Sequence, residues 1–154
     1  MAISVRLAKP EEAPLVLKLM LAAFAEYDGV LQVPSGALSE TVYDVLEHMA
    51  HGGAVLAFDG ETPVGSGRFE RRADCIYIGR LSVPPEYRGQ GIGSAMMDAL
   101  EGIGRADGFA EALLGVRTAI PRNIELYRRR GYEIVATYPH PRGTELIVDM
   151  VKKL

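Results

Sequence analysis

Three glycines alternate in Arg88-Gly89-Gln90-Gly91-Ile92-Gly93-Ser94, just after a run that ends Leu81-Ser82-Val83 and is stopped by Pro84-Pro85. Alternating glycines let a backbone turn tightly and bring its N–H groups against a ligand with no Cβ in the way. If a helix opens here, its first N–H groups lack internal partners and carry the positive end of the helix dipole. With the Arg88 guanidinium alongside, the amides of Gly89, Gln90, Gly91, Ile92, Gly93 and Ser94 make a site for two linked phosphates. A turn that only permits close packing is the alternative reading. Other phosphate signatures fit poorly. A P-loop requires a Lys that is absent here, and a dinucleotide fingerprint begun at Gly89 needs a glycine where Ser94 stands.

Fewer residues elsewhere have reactive types in suggestive positions. Tyr127 shares a helix face with Ile124, which suits a core tyrosine with a polar tip. Glu70 is a candidate base, although a solvated carboxylate explains it as well, and Asp74 lies just before the Cys75 strand. Glu26 and Tyr27 end a helix beside a loop and are placed to shape a pocket. Arg128-Arg129-Arg130 suits the last turn of a helix, where the macrodipole favours cations, without any phosphate. His48 and His51 have ligand-compatible spacing, but one other His and one Cys do not complete a metal set, so no metal is expected. Cys75 reads as a small buried hydrophobe.

The elements that must hold these groups follow from periodicity. Ile3, Val5 and Leu7 alternate as a strand, and Pro10, Glu11 and Glu12 open a helix whose apolar stripe runs from Val16 to Tyr27. A loop covers residues 28–38. Ser39 is the expected N-cap of a second helix, with Leu38 and Tyr43 as a hydrophobic staple and Gly52-Gly53 as its stop. Residues 54–58, 64–71 and 75–83 read as an antiparallel meander with a turn at Asp59-Gly60. Met96, Met97, Leu100 and Ile103 give the helix after the glycine turn. Then come a strand at 112–117, a helix at 123–130 capped by Gly131, and strands at 132–138 and 145–151. The order β-α-α-β-β-β-α-β-α-β-β predicts a mixed α+β fold, with one sheet and helices on its faces.

The chain has 154 residues, 48% hydrophobic and 24% charged, which suits one globular domain over residues 1–154. A net charge of -3 supplies no basic field for nucleic acid, and no apolar run is long enough to span a bilayer. One cysteine and no apolar leader predict a cytoplasmic protein.

At the glycine turn the chain resembles the GNAT family of N-acetyltransferases. The family signature is Arg or Gln, two residues, Gly, one residue, then Gly or Ala; Arg88, Gly91 and Gly93 meet it. Downstream, Asn123, Tyr127 and Gly131-Tyr132 resemble the family's helix and cap, with the Asn–Tyr spacing at its short end. The resemblance implies a splayed, mostly antiparallel sheet of about seven strands with about four helices. The sheet would open between the Cys75 strand and the Ala112 strand. It also implies acetyl-CoA as co-substrate, an amine acceptor (small molecule or protein amino group) and a homodimer as an open expectation. Under it, backbone groups of Leu81 and Val83 pair with the pantetheine arm, the N–H of Leu81 or Ser82 faces the thioester oxygen, and Asn123 joins the donor site.

The implied reaction sets its own demands. An alkyl amine has a pKa near 10, so only about one in a thousand is neutral at pH 7 and a base or a pKa-lowering site must act. The leaving thiol, at a pKa of ~8.5, needs acid help less, and Tyr127 is the candidate by its match to the family's helix tyrosine. Many members carry a glutamate on the strand before the glycine turn, whereas Ile76-Tyr77-Ile78-Gly79-Arg80-Leu81 has none. Other readings are an acyl-CoA-binding module without turnover and a nucleotide-binding protein. Acceptor choice falls to the loops at 28–38 and 139–143, the latter with His140 and Arg142.

Overall fold

Alternate residues of one strand lie under different helices, which fixes the layers. The computed structural model describes residues 2–31 and 33–154; Met1 and Gln32, the latter within the first of those loops, lie outside the described residues. The strands are β1 (Ile3–Leu7), β2 (Gly52–Asp59), β3 (Thr62–Arg71), β4 (Cys75–Ser82), β5 (Glu111–Arg117), β6 (Glu133–Pro139) and β7 (Leu146–Lys153). The helices are α1 (Ala13–Phe24), α2 (Val42–Ala50), α3 (Ile92–Ala106) and α4 (Pro121–Arg129). On β2, Ala54 and Leu56 are buried with Ala13, Val16, Leu19 and Val45 of α1 and α2. Val55 and Ala57 are buried instead with Ile92, Met96, Met97 and Leu100 of α3. The sheet is therefore the middle of three layers.

Strand order is β1-β2-β3-β4-β5-β7-β6. Neighbours are antiparallel except β4 and β5, which run parallel. That α+β architecture, open in the middle of the sheet, is the expected one. No helix among the described residues is long and apolar enough to cross a membrane.

Two local expectations are corrected. Ser39 is not the cap of α2: it belongs to a 3-10 turn, Gly36–Ser39, and Thr41 caps α2 in a reciprocal box with Asp44. Glu40 between them is extended (φ -71°, ψ 149°), so the helix cannot start earlier. Tyr43 is 83% exposed and forms no staple. Thr41→Ala should cost about 1 kcal/mol in urea unfolding, with an unchanged denaturant slope. Gly52-Gly53 does not merely stop α2; it begins β2, and a Cβ at Gly52 would lie 1.9 Å from the Phe69 carbonyl oxygen. Cys75 is half-buried rather than buried, and burial pushes its thiol up.

The C-terminus of α4 is closed as expected. Gly131 has φ 95°, its N–H bonds Arg128 O at 3.0 Å, and the Tyr132 N–H bonds Tyr127 O at 3.0 Å. This paired capping turn sets Tyr127 edge-on against Tyr132, ring centres 5.9 Å apart. Tyr132 donates to Glu101, 2% exposed, which also takes Lys152 at 2.8 Å, so one buried carboxylate ties α3 to β7 and to the α4 cap. Arg130 reaches from that cap to Ser94 Oγ (2.8 Å) and Asp98 (2.7 Å) on α3. Arg130 of the Arg128–Arg130 run thus owes more to packing than the macrodipole alone suggests.

Candidate active site

β4 and β5 pair only from Cys75–Glu111 to Tyr77–Leu113 and then part. In the same stretch β4 bulges against β3: Ser66 faces Ser82 and Arg68 faces Gly79, leaving Arg80 and Leu81 without a ladder partner. Arg80 has φ 50°, a left-handed conformation in a residue that is not glycine. Ser82 returns to the ladder, fully buried, with Oγ donating to Arg80 O at 2.8 Å. The unpaired backbone is therefore at Leu81, beside the gap between the strands.

Two cavities open there. The first, about 440 Å³, is lined by Arg88, Gly89, Gly91, Ile92, Gly93 and Ser94, by Val83, and by Asn123 and Tyr127 of α4. The second, about 410 Å³, is lined by residues of β3, β4 and β5 and by Ser35 and His48. Leu81, Asn123 and Tyr127 line both, so the cavities share a wall.

The glycine turn opens α3 as expected. Gly89 (φ 78°) and Gly91 (φ 79°) are left-handed, and Gly91 is the N-cap. Ala95 is the first helical amide with a partner, Gly91 O at 3.0 Å. Those of Gly91, Ile92, Gly93 and Ser94 have none among the described residues. A Cβ at Gly89 or Gly91 would meet nothing within 4 Å, and one at Gly93 only Leu81 Cδ2 at 3.9 Å. The close-packing alternative therefore finds no packed neighbour.

Arg88 is arranged differently from the expected phosphate clamp. Its Nε donates to Val83 O (2.9 Å), Nη2 to Ala23 O (3.0 Å) and Nη1 to Glu26 (2.6 Å). It thus fastens the end of α1 to the turn and occupies the Val83 carbonyl. Glu26 also accepts from Arg122 (2.9 Å), which donates to Tyr27 Oη at 2.7 Å. Burial pushes the Glu26 carboxyl up, but the Arg88 hydrogen bond and the two cations bring it below its ordinary value. Glu26 is therefore a poor base. Ser94 Oγ is held by Arg130, leaving its amide for a ligand.

Tyr127 sits at the shared wall, and its hydroxyl has no hydrogen-bond partner among the described residues. Burial, chiefly, pushes its pKa up to about 12, so the phenol keeps its proton through the neutral range. Asn123 lines the same wall with an unengaged side chain. Glu70 is the one carboxylate among the lining residues of the second cavity, 3.8 Å from Arg72.

Sequence reasoning missed a cation cluster around that cavity. Arg68, 6% exposed, grips Glu40 in a two-pronged pair (2.6 and 2.9 Å), and Arg80 Nε donates to Glu40 at 2.8 Å. Burial pushes Glu40 up, and the Arg68 and Arg80 bonds and charges more than reverse it, holding it below its ordinary value. Arg117 donates to the Val33 and Pro34 carbonyls and pairs with Glu145 at 3.2 Å. Arg142 also reaches Pro34 O, at 3.4 Å, so the two loops assigned to acceptor choice meet. His48 lines the cavity, and no described group of three or more His, Cys, Asp and Glu side chains could hold a metal.

A parted parallel pair, a bulge at its edge and a glycine turn opening the next helix define the frame of the site. The sequence model of the Acetyltransferase (GNAT) family matches residues 20–132, and the chain belongs to that family. The "Uncharacterized N-acetyltransferase YjcF" of Bacillus subtilis is 30% identical over 83 residues. That match takes in 53% of this chain and 56% of the relative, so the chain spans little more than half the relative's length. Among solved structures, the PaiA N-acetyltransferase of Thermoplasma acidophilum in complex with coenzyme A superposes with a TM-score of 0.82 at 21% identity, over the whole of both chains. YncA of Salmonella typhimurium, a putative acetyltransferase with its cofactor acetyl-CoA, superposes with a TM-score of 0.78 at 15% identity, over 100% of this chain and 95% of that one. At these identities the likeness is one of fold.

Proposed function

We propose that the chain is an acetyl-CoA-dependent N-acetyltransferase, acting as a single domain, that passes the acetyl group directly to a primary amine. The observation that carries the reading is the row of unpartnered amides at the start of α3, beside glycines with no packing neighbour. Those amides would hold the pyrophosphate of coenzyme A, and the gap after Tyr77 would take the pantetheine arm, with Leu81 offering backbone groups to its amides. Family membership and the coenzyme-bound state of the PaiA structure support the same donor.

In this reading the amine nitrogen attacks the thioester carbonyl, forming the C–N bond, while the Leu81 N–H faces the developing oxyanion. Collapse breaks the C–S bond. The departing sulfur takes the Tyr127 proton, and the phenolate recovers one from solvent. The amine's surplus proton passes through water, with Glu70 the nearest carboxylate in the second cavity. That cavity is the acceptor site. A reducing compartment such as the cytoplasm suits the lone Cys75, and no feature favours nucleic acid or membrane as partner.

Free-thiol release from acetyl-CoA with a panel of amines tests this. Tyr127→Phe should lower kcat about 10–100-fold, at or below the foot of the usual general-acid range of about 100–10,000-fold because a thiolate leaves readily, with the KM for acetyl-CoA little changed. A Tyr127→Phe enzyme of full activity would remove Tyr127 from the chemistry. Tight coenzyme A binding with no amine-dependent thiol release would make the chain a binding module.

A further inference from the structure

Charge in the second cavity has the wrong sign for a simple amine. Its lining residues bring four guanidiniums, Arg68, Arg72, Arg80 and Arg117, against Glu70 in the lining and Glu40 and Glu145 paired behind it, which leaves one cation in excess. An alkylamine arrives as an ammonium ion, which such a wall repels. Two of the four are closed: Arg68 by Glu40, and Arg117 by Glu145 and the loop carbonyls. The other two are open. Arg80 gives only Nε to Glu40, and its two terminal nitrogens have no hydrogen bond among the described residues. Arg72 lies over the Tyr77 ring, Cζ 4.0 Å from the centroid, and its 3.8 Å approach to Glu70 is too long for a hydrogen bond.

Tyr77 feels both of these cations, and its own hydroxyl has no hydrogen-bond partner among the described residues. Two guanidiniums and a phenol lining one cavity, Arg72 stacked on the phenol ring itself, are a donor set suited to a carboxylate or phosphate. Arg80 moreover holds its place at a strained backbone angle, and strain of this kind persists where the surroundings fix a residue for use.

We propose that the acceptor amine carries its own anionic group, a carboxylate or a phosphate, held by Arg80 and Arg72 with the Tyr77 hydroxyl. The inference rests on reading the second cavity as the acceptor site. Arg80 and Leu81 both stand in the bulge and both line this cavity, so clamp and oxyanion donor belong to one site. A cavity of about 410 Å³ sets a small acceptor of the amino-acid or aminoalkylphosphate kind. The same cations lower the pKa of the bound ammonium, which supplies neutral amine where β4 offers no carboxylate.

The test compares kcat/KM for thiol release across α-amino acids of varied side chain, their carboxamides, the matching simple amines, and aminoalkylphosphonates and aminoalkylphosphates. The best anion-bearing acceptor should exceed its carboxamide and its simple amine at least tenfold, and the carboxylate and phosphorus arms identify which anion is used. Arg80→Gln should shrink that ratio at least tenfold. Arg72→Gln, at an exposed position outside the bulge, should shrink it as well with the thermal unfolding midpoint unchanged. Simple amines and carboxamides turning over as well as the anion-bearing set, or a ratio untouched in Arg72→Gln and Arg80→Gln alike, would overturn the inference and leave acetyl transfer standing. Failure of every amine in the panel to give amine-dependent thiol release would overturn the acetyltransferase reading itself.

Discussion

Replacing Gly93 with leucine is expected to give a chain at least as stable as the parent that binds coenzyme A at least about 100-fold more weakly, a loss of about 2.8 kcal/mol. Glycine within a helix costs roughly 0.5–1 kcal/mol relative to alanine, and leucine is nearly as good a helix former. Gly93 has neither a left-handed φ nor a crowded Cα to justify that cost, since the nearest atom to a built Cβ is Leu81 Cδ2 at 3.9 Å. A side chain there has room at its Cβ in the free protein. In the proposed complex it would stand over the unpartnered amides of α3, and each hydrogen bond to a charged phosphate is worth about 1.5–3 kcal/mol, so displacing two accounts for the loss. Calorimetric titration with coenzyme A and thermal unfolding of the free protein read the two effects separately. Parent-like affinity in Gly93→Leu would move the pyrophosphate away from this turn.

Glu40→Gln should be the most damaging conservative change for stability, costing about 3–5 kcal/mol because it leaves Arg68 buried without a counter-charge. Against a total of about 5–15 kcal/mol for an ordinary domain, that shifts the urea midpoint far enough to be unmistakable. The effect has a signed pH dependence. The Glu40 carboxyl is held below its ordinary value of 4.5 in the folded protein, so its stabilising effect is fully present above that value. It disappears as pH falls through the folded-state value, where the parent also loses the charge. The gap between parent and variant should therefore be widest at neutral pH and close on acidification below about 4.5. A gap of the same size in both ranges would show that shape, not charge, holds the cluster. Because Glu40 also takes Arg80 Nε, the variant should loosen the bulge that carries Leu81.

What the sequence revealed divides by range of interaction. The glycine turn, the start of α3, the Gly131 cap and the element order are written in neighbouring residues, and each was legible. The start of α2 was misread because two competing local signals, Ser39 and Thr41-x-x-Asp44, sit two residues apart; the long-range demand of Arg68 on Glu40 decides between them. Arg88 was read as a phosphate-binding cation, whereas its guanidinium holds Val83 O, Ala23 O and Glu26; Glu26 comes from the 3-10 turn that follows α1, and no local rule pairs them. The bulge at Arg80 had one available sign, a glycine at position 79 inside an otherwise strand-like run. Arg68 had another, since a cation between Val64 and Phe69 on a buried strand requires a partner. Glu40 itself carried no local sign.

The two cavities differ in what they are made of. The proposed pyrophosphate cradle at the start of α3 is main-chain N–H beside three glycines, which most substitutions elsewhere leave in place. The proposed acceptor wall is a set of long side chains on β3, β4, β5 and the β3–β4 turn, each exchangeable without touching the glycine turn. Mutation can therefore redraw acceptor preference while donor affinity is preserved, and laboratory evolution aimed at new amines should concentrate its accepted changes at positions 70, 72, 80 and 117 and leave 89, 91 and 93 untouched.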